Sequence, residues 1–164
     1  MRNKKTAYIG LLVALAFIFS YIEFLIPINL GIPGVKLGLA NLVIIVGMYT
    51  IGEKNSFILS MVRIVLVAIT FSNMSAMLYS LAGGILSYAV MVAAKRTKFL
   101  SVKGVSAFGG IFHNVGQILA AVLILETKEL IYYLPVLMIA GIVSGTVIGL
   151  LAAMVIERIK KVIF

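Results

Sequence analysis

The chain has 164 residues, 63% of them hydrophobic and 12% charged, with a mean hydropathy of +1.20 and a formal net charge of +9. So little polar surface cannot coat a soluble globule of this size, so the composition points to one integral membrane domain spanning 1–164, and the positive charge reads as membrane topology, with no nucleic acid as partner. Cysteine is absent, which excludes disulfides and thiolate metal sites.

Six apolar segments follow in chain order: Thr6–Pro27, Leu37–Ile51, Ser56–Phe71, Met74–Ala94, Gly104–Leu125 and Leu130–Ile156. A helix needs about 20 residues to cross roughly 30 Å of hydrocarbon, so segments two and three look short. The opening MRNKK and its apolar run mimic a signal peptide, but the run continues for about 20 residues without a small-residue cleavage site and is expected to be a retained first span. Eleven of the fourteen basic residues (Arg2, Lys4, Lys5, Lys54, Lys95, Arg96, Lys98, Lys103, Arg158, Lys160 and Lys161) fall on one side if all six segments cross. The positive-inside rule then puts both termini in the cytoplasm. A re-entrant loop made of segments two and three would instead strand Glu53, Lys54 and Asn55 near mid-membrane, at a cost of several kcal/mol. The expected fold is all-α: a polytopic six-helix bundle in the bacterial plasma membrane.

The first segment carries Ala7, Gly10 and Ala14 at helical spacing. Small residues let membrane helices approach, so this face packs either inside the chain or against a separate subunit. Glu23, about 17 residues further out than the inner end, is costly unless paired or wet. The next stretch, IPGVKLGLANLVIIVGMY from Ile32 to Tyr49, interrupts the apolar pattern: Pro33 and Gly34 stop a helix, Lys36 charges its edge and Asn41 carries an amide into the following run. Lipid tolerates such groups only where they are buried in protein or line a wet cavity. The Pro33–Gly34 loop is expected to act as a lid.

Arg63 lies within the third segment, between Val62 and Ile64. An arginine at that depth costs at least about 2.5–3.5 kcal/mol, so it needs a partner, a ligand or a path to snorkel. Three readings stay open: an ion pair with Glu23, an anionic or carbonyl-bearing ligand, and snorkelling. Ser72, Asn73 and Ser75 read as a tight outer turn. The Gly83–Gly84 pair of the fourth segment reads as close packing or a kink, or as a point of backbone approach by ligand. The loop KRTKFLSVK reads as an anchor at the anionic inner leaflet.

In the fifth segment His113 and Gln117 are four apart and share a helix face, with Asn114 offset by about 100°. Three hydrogen-bonding side chains within five positions near mid-membrane point to a ligand-facing cluster. One histidine without aspartate or cysteine does not assemble a metal shell, so neither a metal nor another cofactor is expected. In the sixth segment Gly141, Gly145 and Gly149 recur every fourth residue, a packing surface.

GVKLGLANLVIIVGMY, an arginine in the next span, SLAGGILS in the fourth and HNVGQ in the fifth together resemble the Gx transporter family, also called the heptaprenyl diphosphate synthase component I family, over nearly the whole chain. That family is similar to the S components of energy-coupling factor (ECF) vitamin transporters. The resemblance implies a six-helix subunit that holds a ligand near the outer side and docks an ECF T component and ATPase subunits through an Ala-x-x-x-Ala face on the first helix, for which Gly10-x-x-x-Ala14 is a small-residue variant. It implies, as the alternative, a membrane component of heptaprenyl diphosphate synthase. Prenyl synthases resemble one another in aspartate-rich Mg²⁺-diphosphate motifs. This chain contains no aspartate and no Walker lysine loop, which argues against catalysis and for capture of a small-molecule substrate. The expected contacts are Glu23, Lys36, Asn41, Arg63, His113, Asn114 and Gln117, converging on a chamber that favours a small anionic or hydrogen-bond-accepting ligand. A purely structural scaffold, with every polar group internally paired, is the third reading.

Overall fold

The computed structural model describes residues 2–26 and 37–163. The described residues are helical throughout, as the composition requires: α1 (Arg2–Leu25), α2 (Leu39–Thr50), α3 (Glu53–Thr70), α4 (Met74–Arg96), α5 (Val102–Leu125) and α6 (Leu134–Ile163), with a 3-10 segment at Lys128–Tyr133. Four stretches are long and apolar enough to cross a membrane: Thr6–Leu25, Met74–Arg96, Val102–Leu125 and Lys128–Ile159. The exposed surface is itself apolar. Leu123 is 78% exposed, Ile69 76% and Leu11 63%, while the serines Ser20, Ser56, Ser60, Ser87 and Ser106 are buried. This inverted distribution is that of a multi-pass membrane protein, whose solvent is lipid.

Helices α4, α5 and α6 pack most closely, because glycine removes the side chain at each crossing. A Cβ on Gly141 would lie 2.7 Å from the Gly110 carbonyl oxygen; one on Gly145, 2.7 Å from the Ser106 oxygen; one on Gly149, 2.7 Å from the Lys103 Cα. The four-residue glycine repeat of α6 is thus a backbone-to-backbone seam with α5, running antiparallel. On the opposite side of α5, a Cβ on Gly116 would lie 2.8 Å from the Ala82 oxygen and one on Gly83 2.6 Å from the His113 oxygen. The second glycine of that pair, Gly84, faces Ile64 of α3 instead. Buried Ser87 donates to the Gly109 carbonyl at 2.8 Å, adding a hydrogen bond where the backbones are nearest.

The small-residue face of α1 behaves differently. Ala7, Gly10 and Ala14 are exposed, and a Cβ on Gly10 would meet nothing within 4 Å among the described residues. Of the two readings of that face, packing within the chain is therefore corrected: the opposite side of α1, at Leu12 and Ala16, enters the core.

Helix α2 is only 12 residues, about 18 Å at 1.5 Å per residue, and too short to cross roughly 30 Å unaided. It survives because it is enclosed: Ala40, Val43, Ile44, Ile45, Val46, Gly47 and Met48 are all buried, against α1, α3 and α6. Gly38 starts it at φ +82°, and Gly52, at φ +89°, turns the chain into α3. Buried Ser56 donates to the Ile44 carbonyl at 2.6 Å and packs where Gly47 has no side chain.

Both ends of α2 are met by charged side chains from other helices. At its N-terminus the Glu23 carboxylate of α1 accepts from the Gly38 and Leu39 amides, the latter at 3.0 Å. At its C-terminus Lys95 of α4 donates to the Met48 carbonyl at 3.1 Å, lies over the Tyr49 ring and pairs with Glu53 at 3.2 Å. Each charge has the sign that the helix dipole favours at its end. Arg96 adds a second contact to Glu53 at 2.8 Å, and hydrogen bonds from Arg96 and Lys95 hold the Glu53 carboxyl below the usual carboxylate range. These contacts bring the α2–α3 turn to the same end of the bundle as the basic α4–α5 loop.

Candidate ligand-binding site

The polar residues singled out above come from four helices, and the fold gathers them. Glu23 from α1, Asn41 from α2, Arg63 from α3, and His113, Asn114 and Gln117 from α5 line one cavity of about 50 Å³, completed by Ser80 of α4 and Ser144 of α6. Lys36, the remaining candidate, and the Pro33–Gly34 lid lie outside the described residues.

Each side chain arrives for a local reason. His113 and Gln117, one turn apart, sit over Gly83, where a Cβ would be 2.8 Å from the Gln117 Cγ and 3.1 Å from the His113 Nδ1. The missing side chain in α4 is what lets this face of α5 lie beside the cavity. Asn41, in the first turn of α2, lies 3.7 Å from where a Gly38 Cβ would be. Asn114 is offset from its neighbours as helical geometry requires, and donates across the seam to the Leu137 carbonyl of α6 at 2.6 Å. Its amide therefore braces two helices as well as lining the cavity.

A second cavity, of about 130 Å³, adjoins the first and shares Glu23, Arg63 and Ser80 with it. It lies among α1, α3 and α4, with Phe24, Val67, Phe71 and Met77 on its walls beside Ser20 and Ser72. Phe71 is the hub of an aromatic cluster, with ring centroids 5.5, 5.4 and 5.1 Å from Phe17, Tyr21 and Phe24. Neither cavity reaches the roughly 300–1,000 Å³ of a typical pocket for a drug-sized ligand. At about 15 Å³ per water, the inner one holds a few water molecules or one small ionic group.

Arg63 stands where the cavities meet. Its Nη1 makes a long contact of 3.4 Å to the Ser20 hydroxyl, and its buried Nε has no hydrogen-bond partner among the described residues. Among the described residues the ion pairs within 4 Å are those of Glu53 with Lys95 and Arg96, so Arg63 and Glu23 share the chamber without direct pairing. Oε1 of Glu23 accepts from both α2 amides, while Nε of Arg63 has no acceptor among the described residues. A buried donor left unsatisfied costs about 1–3 kcal/mol, more when charged, so this chamber lacks an acceptor. Among the described residues no group of three His, Asp or Glu side chains could hold a metal ion.

Sequence reasoning missed Ser20, Ser80 and Ser144, since isolated serines in apolar helices carry no pattern. It also missed the capping role of Glu23, whose partners are 15 and 16 residues away.

The fold and the chamber define a class: a helical, multi-pass membrane protein with an arginine-bearing polar chamber enclosed between its helices. Residues 12–155, most of the chain, match the family described as Heptaprenyl diphosphate synthase component I, and the chain belongs to that family. The family is a bacterial membrane component. No curated protein and no solved structure shows significant similarity to the chain.

Proposed function

We propose that this chain is a single-domain, non-catalytic membrane subunit that captures a small anionic or hydrogen-bond-accepting metabolite and hands it to partner subunits, as an S component of an ECF transporter does. One observation carries the reading: polar residues from α1, α2, α3 and α5 converge on one chamber in which the buried Nε of Arg63 lacks an acceptor among the described residues. A scaffold with no ligand would have no reason to hold a cation there unsatisfied. The ligand acts as the missing acceptor, with Asn41, His113, Asn114 and Gln117 orienting it and Lys36 adding charge from the outer loop. A ligand larger than one small ionic group would require the chamber to widen.

Six crossings with both termini cytoplasmic fit this role. Support comes from the contacts of Glu53 with Lys95 and Arg96, which draw the α2–α3 turn to the basic end of the bundle, as full crossings by α2 and α3 require. The open Ala7–Gly10–Ala14 face of α1 is suited to docking an ECF T component, because small residues admit a partner helix.

The family description favours a second reading, a membrane component of heptaprenyl diphosphate synthase. The cavity walled by Phe24, Phe71 and Met77, with Arg63 on its lining, would take the anionic head and the first few carbons of an isoprenoid, the rest of the chain lying outside it. Purification of the native complex separates the two. Co-purifying ATPases and a T component support transport, and an aspartate-rich soluble synthase subunit supports the second reading. Native mass spectrometry of freshly extracted protein tests capture itself: a small molecule retained by the wild type and lost in Arg63→Ala is expected, and equal retention by both would refute the site.

A further inference from the structure

We infer that the first turn of α2 and Arg63 together form an anion subsite that the Glu23 carboxylate fills while the chamber is empty, and that an anionic group of the incoming ligand takes its place. This rests on the capture reading above and adds to it the chemical group that binds and the residue it displaces.

The donors are unusual in their arrangement. Gly38, in a left-handed conformation that L side chains rarely adopt, presents its amide together with that of Leu39 at the mouth of a helix whose interior is buried. A helix N-terminus carries roughly half a positive charge and is a ready anion site. Here the anion is neither a local cap nor a solvent ion but a carboxylate from another helix, 15 residues away in sequence. Independently, Arg63 lines both cavities alongside Glu23, with a buried Nε that lacks an acceptor among the described residues.

Glu23 attracts Arg63 across the chamber without an ion pair or hydrogen bond between them; its Oε1 serves the helix instead, and Nε of Arg63 stays without an acceptor among the described residues. One full and one half positive charge therefore face one carboxylate. An anion in the adjoining cavity meets Arg63 and Glu23 together and is repelled by Glu23 until that side chain releases the α2 amides. Glu23 thus weakens binding while stabilising the empty chamber, which makes it a specificity residue: only a ligand group able to accept from Arg63 and from the α2 amides offsets its displacement.

The test uses the full chain in phosphatidylcholine nanodiscs, titrated calorimetrically with inorganic pyrophosphate. A parallel arm contains phosphatidic acid in the nanodisc and no pyrophosphate, with lipid retention read by native mass spectrometry. The two arms tell a soluble anion from a lipid headgroup. Glu23→Gln keeps an acceptor for both amides but removes the charge. Anion affinity is expected to rise roughly tenfold, since like charges a few ångström apart repel by that order even in a wet site. The gain should vanish when Arg63→Ala is added. Glu23→Ala, which removes the charge together with the cap, reads the same effect should the glutamine variant not fold. Unchanged or weakened anion binding in the Glu23 variants, with the wild type binding and Arg63→Ala not, overturns this inference and leaves capture standing. Binding that is indifferent to Arg63, or absent from every protein in both arms, overturns both.

Discussion

The α5–α6 seam allows a quantitative prediction, because the obstacle is backbone on both sides and cannot swing away. In Gly141→Ala the new Cβ would sit 2.7 Å from the Gly110 oxygen and 2.8 Å from its carbonyl carbon, against an ordinary contact beginning at 3.4 Å. The helices must therefore separate by about 0.7 Å at that point, the difference between 3.4 and 2.7 Å. Overpacking of this kind costs about 1–3 kcal/mol, and alanine recovers up to ~1 kcal/mol of helix propensity, leaving a net loss of about 1–2 kcal/mol. At roughly 2–4 °C per kcal/mol for a chain of this length, the unfolding midpoint should fall by about 2–8 °C. Gly10→Ala is the matched control: the same substitution in a membrane helix, with open space around it, should leave the midpoint unchanged or slightly raised. Thermal unfolding followed by far-ultraviolet circular dichroism in one detergent compares the three proteins. A Gly141→Ala midpoint equal to wild type, or a loss of the same size in Gly10→Ala, would refute the argument that glycine marks contact in α6 and openness in α1.

Three further outcomes are expected. Ser56→Ala, which removes a buried 2.6 Å hydrogen bond to an α2 carbonyl, should cost about 0.5–1.5 kcal/mol in the same unfolding assay, and no change would dissolve the bond's structural role. Gly38→Ala, forced into a left-handed conformation at φ +82°, should lose about 1–2 kcal/mol, whereas a stable variant would mean that α2 starts elsewhere. Because Glu53 is held below the usual carboxylate range when folded, its contribution is fully present above the unfolded pKa and disappears as pH falls through the folded one. Stability should therefore decline on acidification into and below the ordinary carboxylate range, and Glu53→Gln should be less stable at neutral pH and lose less on acidification; an unaltered pH profile in that variant would show that the Lys95 and Arg96 contacts do not matter.

Much of this architecture is legible in the residues because lipid punishes departures from the apolar pattern so heavily that each one carries information. Arg63, Asn41 and the His113–Gln117 cluster stand out for that reason, and the structure brings them to one chamber with Glu23. The glycine repeat of α6 is legible on the same ground, since regular loss of side chains has no purpose except approach. Direction is less legible: nothing in Ala7, Gly10 and Ala14 says whether the partner helix belongs to this chain, and the structure leaves that face bare. The brevity of α2 is visible, but not its remedy, because enclosure by α1, α3 and α6 is decided by residues far away in sequence. The same holds for Glu23, which reads as a candidate for Arg63 and turns out to hold the α2 amides.

The pinning of α2 at both ends bears on how the protein is made. Its amides await a carboxylate synthesised earlier, but its last carbonyls and Tyr49 await Lys95, which leaves the ribosome some 45 residues later. Until α4 arrives, this helix is a short apolar rod with one end untied, and α6, which completes its enclosure, comes later still. Its settled position is therefore a product of late assembly within the bilayer, after the longer helices have been threaded, and nascent chains arrested before Lys95 should present it to proteases that the finished bundle excludes.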